Sequence, residues 1–289
     1  MTPSIQPAET LVTRPDATVE LLADQPSIAV AAARFAPGVA PVPPPHAAAE
    51  HTEVFLLLDG ALHFLVGKDE LVAGADTVVV VPPGVVYTLR TESETRFVDF
   101  HAPSSGHGAF LRAPSVETDE REDTRARGTF DQQPVAEGAH PSVVIARVRG
   151  IDGEAITERA GRRVTLYVDN EHLTLTEHEY GPGKRGARPH VHHDHSDAFL
   201  VLEGEVQITF ESGPLRASAG TFVLIPPEVV HSFDNASDAA ARFFNVHAPA
   251  CGFGDYLRGR NPGFDQHDPP QDGGADPASI VVRTFDMGA

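Results

Sequence analysis

The chain repeats itself, and each copy is a series of short apolar runs cut by Gly and Pro turns. His190 and His46, Asp197 and Glu53, Gly204 and Gly60, Pro226 and Pro82, and His231 and Tyr87 all stand 144 positions apart. Farther on, Arg96-Phe-Val-Asp-Phe-His-Ala-Pro matches Arg242-Phe-Phe-Asn-Val-His-Ala-Pro at an offset of 146, so the second copy carries two extra residues. A Phe-Asp-Gln tripeptide follows each copy, at Phe130 and at Phe264. The pattern is that of one domain duplicated and fused.

The repeated segments read as strands. Val54-Phe-Leu-Leu-Leu and Ala198-Phe-Leu-Val-Leu each run into an acidic-Gly dipeptide followed by an alternating run, a hairpin signal. Thr77-Val-Val-Val-Val and Thr221-Phe-Val-Leu-Ile are short apolar strands closed by proline turns. With 25 Gly, 25 Pro and many short strands, each half is expected to form an antiparallel sandwich or barrel. Short helical pieces are expected near Gly108 to Arg112 and Gly254 to Arg258. A length of 289 residues suits two domains at about 150 residues each. The expected division is an N-terminal barrel over residues 1–120, a charged connector over 121–145, and a C-terminal barrel over 146–289. Irregular arms are expected over the first ten or so residues and over Gln271 to Pro277.

Net charge is −19, with no basic patch interleaved with aromatics, which argues against a nucleic-acid partner. No apolar run approaches the roughly 20 residues of a membrane span. The N-terminus lacks a basic segment followed by an apolar one, and the single cysteine, Cys251, forms no internal disulfide. A cytoplasmic location is the resulting expectation, with no membrane partner. Cys251 is expected to be an inert thiol.

The second copy carries the chemistry. His190 and His192 are two apart, so on an extended segment their side chains face the same way. Asp197 opens the next strand after a short turn. His231 sits just past the Pro226-Pro turn on a distant strand, and a closed barrel would bring all four together. Three imidazoles and a carboxylate suit one divalent iron, manganese, nickel, cobalt, copper or zinc ion. His193 and His195 offer a competing His-x-His register, but they break the repeat alignment and are expected to lie outside the ligand set. The first copy has His46, Ala48, Glu53 and Tyr87 at the aligned positions, a poor divalent site although His51 lies nearby. It is expected to be metal-free.

Read as a whole, Gly186-Ala-Arg-Pro-His-Val-His-His-Asp-His-Ser-Asp197 through Gly204, followed by Gly220-Thr-Phe-Val-Leu-Ile-Pro-Pro-Glu-Val-Val-His231 through Asn235, resembles the two motifs of the cupin superfamily. Three departures stand out: three residues rather than five separate Gly186 from His190, Asp197 replaces a glutamate, and Glu228 replaces a glycine. The resemblance implies an all-β fold of two tandem jelly-roll barrels, a bicupin, and a homodimer. Among duplicated cupins, the Pro-His-x-His-His run with an acid before Ala-Phe is similar to the quercetin 2,3-dioxygenase group. That similarity implies His190, His192 and His231 as ligands, with Asp197 as fourth ligand or as general base. The implied activity is a metal-dependent dioxygenase acting on an enol, diol or flavonol-like small molecule. A redox-neutral metal-dependent isomerase, decarboxylase, lyase or cyclase is an open alternative, as is a non-catalytic small-molecule binder, because a fold does not fix a function. Among weaker candidates, Arg188 is a surface charge or an anion contact. Asn235 is a brace for the His231 turn or an ordinary turn residue. Phe199, Phe210, Phe233, Phe243, Phe244 and Tyr167 are core or pocket wall. His101 and His247 form a shared structural contact.

Overall fold

The computed structural model describes residues 3–38, 46–112, 131–134, 145–149 and 151–288. Of the connector expected over 121–145, residues 121–130 and 135–144 lie outside the described residues, Phe130 among them. The chain divides into two compact units, one spanning Glu9–Ile151 and the other Asp152–Asp286.

In the second unit, a large sheet runs in the order Gln6–Pro7, Val281–Thr284, Thr221–Ile225, Ser196–Glu203, Ala241–Ala248, Thr174–Tyr180, Arg162–Asp169 and Glu154–Arg159. A three-stranded sheet is formed by Gly213–Ser218, Glu205–Phe210 and His231–Asp234. Side chains of both sheets meet in one apolar core that includes Phe199, Val206, Ile208, Phe233 and Phe243. The first unit repeats this order, without a counterpart of Gln6–Pro7. Ile145–Val148, Thr77–Val81, Thr52–Asp59, Thr95–Ala102, Ile28–Phe35, Ala17–Gln25 and Glu9–Arg14 make its large sheet. Thr88–Thr91, Ala61–Val66 and Asp69–Gly74 make its small one. Each unit is a jelly-roll barrel, as the repeat and the resemblance implied.

Three expectations are corrected. The acidic-Gly dipeptides are corners, not hairpins: Thr52–Asp59 pairs with Thr95–Ala102 and Thr77–Val81, whereas Ala61–Val66 pairs with strands of the small sheet. One glycine turns the chain from one sheet into the other, which a two-residue hairpin loop would not do. Gly60 and Gly204 have φ of 72° and 69°, the left-handed region, and a Cβ there would run into the Glu94 and Ala240 carbonyl oxygens respectively. Secondly, the N-terminal arm is ordered as strands, Gln6–Pro7 in the second unit and Glu9–Arg14 in the first. Thirdly, Ile145–Val148 pairs with Thr77–Val81 of the first unit, so the units divide at 151/152 rather than at 145/146.

Short helices follow Thr95–Ala102 and Ala241–Ala248, at His107–Arg112 and Phe253–Leu257 respectively. Each carries an arginine fork back to the barrel. Arg112 reaches Glu9 at 2.8 Å and Asp24 at 2.5 Å, and Arg258 reaches Glu154 at 2.6 Å and Asp169 at 2.5 Å.

Gly204→Ala is expected to lower stability by at least about 1 kcal/mol, because it forces an L side chain into the left-handed region against backbone. Urea unfolding checks this; an unchanged midpoint would show that the corner can relax.

Candidate metal centre

His190, His192, Asp197 and His231 offer one ligand atom each, all within 4.8 Å of one another and all buried. Local folding explains the convergence. Backbone bridges between His190 and His231 tie the ligand loop to the edge of the small sheet, with N···O distances of 2.9 Å both ways. Asp197 is the second residue of Ser196–Glu203 and lies between Ile225 and His247 in the large sheet.

The imidazole orientations are fixed from behind. His190 Nδ1 donates to the Arg188 carbonyl at 2.7 Å, His192 Nδ1 to the Asp265 carbonyl at 2.5 Å, and His231 Nδ1 to the Val229 carbonyl at 2.9 Å. A carbonyl only accepts, so each ring carries its proton on Nδ1 and turns the Nε2 lone pair inward. His190 Nε2 and His192 Nε2 are then 3.2 Å apart with lone pairs facing, and His231 Nε2 faces Asp197 Oδ2 at 3.2 Å. Three imidazole nitrogens and a carboxylate oxygen turned into one space are a donor set that fits the divalent transition metal the resemblance implies. Metal–ligand bonds of about 2.1 Å at tetrahedral or octahedral angles place donors roughly 3.0–3.4 Å apart.

Charge states agree. Burial, with His231 beside it, pulls His190 down to about 4, and burial pulls His192 down to about 3. Both are neutral and ready to ligate near neutral pH. Burial works against ionising Asp197, but His247, His231 and His192 outweigh it and hold the carboxyl well below its usual range. Asp197 Oδ1 accepts a short hydrogen bond from Asn245 Nδ2, which also donates to the Ala198 carbonyl at 3.2 Å. Oδ2 is thereby turned to the imidazoles. The shorter aspartate reaches the centre because its strand brings it there.

Sequence reasoning missed the shell behind the ligands. His195, expected to lie outside the ligand set, is buried; its Nδ1 bonds Asp265 Oδ2 at 2.8 Å, and its Nε2 lies 2.8 Å from His247 Nδ1. His247 Nε2 donates to Asn245 Oδ1 at 3.0 Å. Asp265 also accepts from the backbone N–H groups of His193 and Asp194. The repeated Phe-Asp-Gln tripeptide was the visible signal, since Asp131 holds Ala49, Glu50 and His51 in the same way. His178 was also missed. It is buried among Phe243, Tyr180 and Phe233, and burial lowers it to about 3.

Other candidates find their places. Arg188 is exposed and contributes only its carbonyl to the ligand loop. Asn235 braces a different turn from the one expected, donating to the Tyr180, Gly181 and Ala239 carbonyls. Phe199, Phe210, Phe233 and Phe243 are barrel core; the adjacent Phe244 faces the other way, with Tyr167. Cys251 lies beside His195 and Asp265, neighbours that its sequence context does not show, and burial with nearby carboxylates raises its thiol, which disfavours the reactive thiolate. Glu228 occupies left-handed backbone at φ 70°, the conformation that explains a family glycine there, and accepts from His193 Nδ1 at 2.8 Å.

In the first barrel, His46 packs against Tyr87 with ring centroids 4.6 Å apart. The Tyr87 hydroxyl donates a short hydrogen bond to Glu53 Oε2. Burial and that carboxylate raise Tyr87 well above its ordinary value, so it stays a phenol.

Residues 176–247 match the family model of the Cupin domain. Among curated proteins, no sequence matches. Solved structures with similar folds include Bacillus subtilis oxalate decarboxylase (14% identity, TM-score 0.57, 83% of this chain and 75% of that chain). They also include a putative glyoxylate-induced protein from Pseudomonas aeruginosa (14% identity, TM-score 0.57, 83% and 85%) and AerE from Microcystis aeruginosa (11% identity, TM-score 0.56, 84% and 97%). The chain is thus a duplicated cupin in fold, with buried His and carboxylate groups able to hold a metal. No helix among the described residues is long and apolar enough to cross a membrane.

His190→Ala or His231→Ala is expected to weaken metal binding in the second barrel by more than about a hundredfold, the scale at which even supporting residues act. Elemental analysis after dialysis checks this, and full occupancy in either variant would refute the assignment. A second expectation concerns pH. His178 binds its proton in the unfolded chain near 6.5 but only at about 3 when folded. Below pH 6.5 the unfolded state therefore takes up more protons, and stability falls with acidification by up to about 1.4 kcal/mol per pH unit for this one group. His178→Gln should flatten the decline measured by urea unfolding between pH 6.5 and 4.

Proposed function

We propose that the second barrel is the working site of a metal-dependent enzyme that acts on a small molecule binding through ionisable oxygens. The reading rests on one observation: three carbonyl-locked imidazoles turn their Nε2 atoms, and Asp197 an ionised carboxylate, into one buried space. His190, His192, His231 and Asp197 would hold the cation. Bound there, it supplies Lewis acidity that lowers the pKa of a coordinated enol or diol hydroxyl.

The chain's own residues set limits on the chemistry. Asp197 is fixed by Asn245 with Oδ2 toward the imidazoles, which favours a ligand over a mobile base. His178 is held neutral and makes a poor proton acceptor. A substrate acidic enough to ionise on binding fits best. Enols, diols and flavonol-like compounds meet that requirement, which supports a dioxygenase of the kind the sequence resembles. Small carboxylic acids meet it equally, and the likeness in fold to oxalate decarboxylase supports a redox-neutral decarboxylase or lyase as the second reading.

Oxygen uptake and carbon dioxide release, measured with a panel of catechols, flavonols and small oxo- or dicarboxylic acids, separate the readings. Uptake matched to product supports the dioxygenase. Turnover without net oxygen consumption supports the lyase. Ligand binding without turnover of any compound would leave a small-molecule binder and sink the proposal of an enzyme.

A further inference from the structure

The first barrel lost two of its aligned ligands, at Ala48 and Tyr87, but its Glu53 meets two histidines one layer behind. We propose that His51 Nε2, His101 Nδ1 and Glu53 Oε1 form a separate transition-metal site in the first barrel. It is independent of the function proposed for the second barrel and departs from the expectation, drawn from the aligned positions alone, of a metal-free first half.

The geometry carries the assignment. Glu53 Oε1 is 3.0 Å from His51 Nε2, His101 Nδ1 is 3.1 Å from His51 Nε2, and His101 Nδ1 is 3.9 Å from Glu53 Oε1. Among the four candidate ligands of the second barrel, His190 and His192 are 3.2 Å apart, His231 and Asp197 3.2 Å, and His192 and Asp197 3.9 Å, distances of the same order. In both clusters the ligand atoms lie within 4.8 Å of one another, and all three residues of the first are buried. Glu53 and His101 are directly opposed on paired strands, so the sheet itself sets their approach.

Each imidazole is also braced from behind by a carboxylate, the arrangement typical of metal-bound histidine. His51 Nδ1 faces Asp131 Oδ2 at 3.1 Å, and His101 Nε2 faces Asp99 Oδ2 at 3.2 Å. With protons on those outer nitrogens, the inner nitrogens of both rings carry lone pairs and face each other at 3.1 Å. Two acceptors at that distance need a positive charge between them or beside them. Asp131 additionally fixes the loop carrying His51 through the Ala49 and Glu50 N–H groups. Tyr87 occupies Glu53 Oε2, which leaves Oε1 on the imidazole side. Two nitrogens and one carboxylate oxygen favour zinc, cobalt, nickel or copper over calcium or magnesium. Such an ion would tie the Thr52–Asp59 and Thr95–Ala102 strands to the loop at His51, a bracing role.

The test is metal stoichiometry in the full chain after loading with Co2+ and removal of excess, read by elemental analysis and by the cobalt visible spectrum. Wild type should bind two equivalents. The double variant His190→Ala/His231→Ala should keep one, and Glu53→Gln or His51→Gln should also keep one, with a different spectrum. If the double variant binds no cobalt, the proposal fails and the facing rings share a proton instead. Should either first-barrel variant fold poorly, the double variant alone decides. Failure of the second-barrel assignment reads differently, as an unchanged count in the double variant.

Discussion

Three backbone carbonyls organise the second barrel. Arg188, Val229 and Asp265 each take the Nδ1 proton of a histidine, and that choice of tautomer turns three lone pairs inward. Without it, neighbouring imidazoles would hydrogen-bond one another and close the space. Burial then keeps His190 and His192 neutral, and His247 and His231 hold the Asp197 carboxyl below its usual range. Loop geometry, tautomer and charge state therefore act as a single device, and the large sheet serves to hold Asp197 at its mouth.

Much of this was legible in the chain. The 144-residue repeat gave the two barrels, and the two-residue spacing of His190 and His192 gave a shared face, because extended backbone alternates. What stayed hidden depends on long-range pairing. Nothing local says that Gly60 and Gly204 turn between sheets rather than within one, since a corner and a hairpin use the same glycine. The pairing of Ile145–Val148 with Thr77–Val81 is likewise a choice between two similar edges. Asp265 lies 70 residues beyond His195, so its part in holding the ligand loop could be suspected only from its twin at Asp131.

The two copies show how a duplicated site diverges. Replacing His192 by Ala48 and His231 by Tyr87 removes two nitrogens and adds a phenol that stays protonated. The histidines behind, His51 and His101 in one copy and His195 and His247 in the other, are retained. In the second barrel His247 leans on a neutral amide, Asn245; in the first His101 leans on a carboxylate, Asp99. One amide-to-acid difference thus changes how strongly the ring behind the site attracts positive charge.

Asp265 does two jobs at once: its carbonyl orients His192 while its carboxylate grips His193, Asp194 and His195. The segment just beyond the small helix is in this sense a clasp for the loop that carries His192. Any fluctuation that lifts it would release that loop and the orientation of His192 in one step, so a metal held as proposed would have a lifetime coupled to the opening rate of a stretch that contributes no ligand of its own.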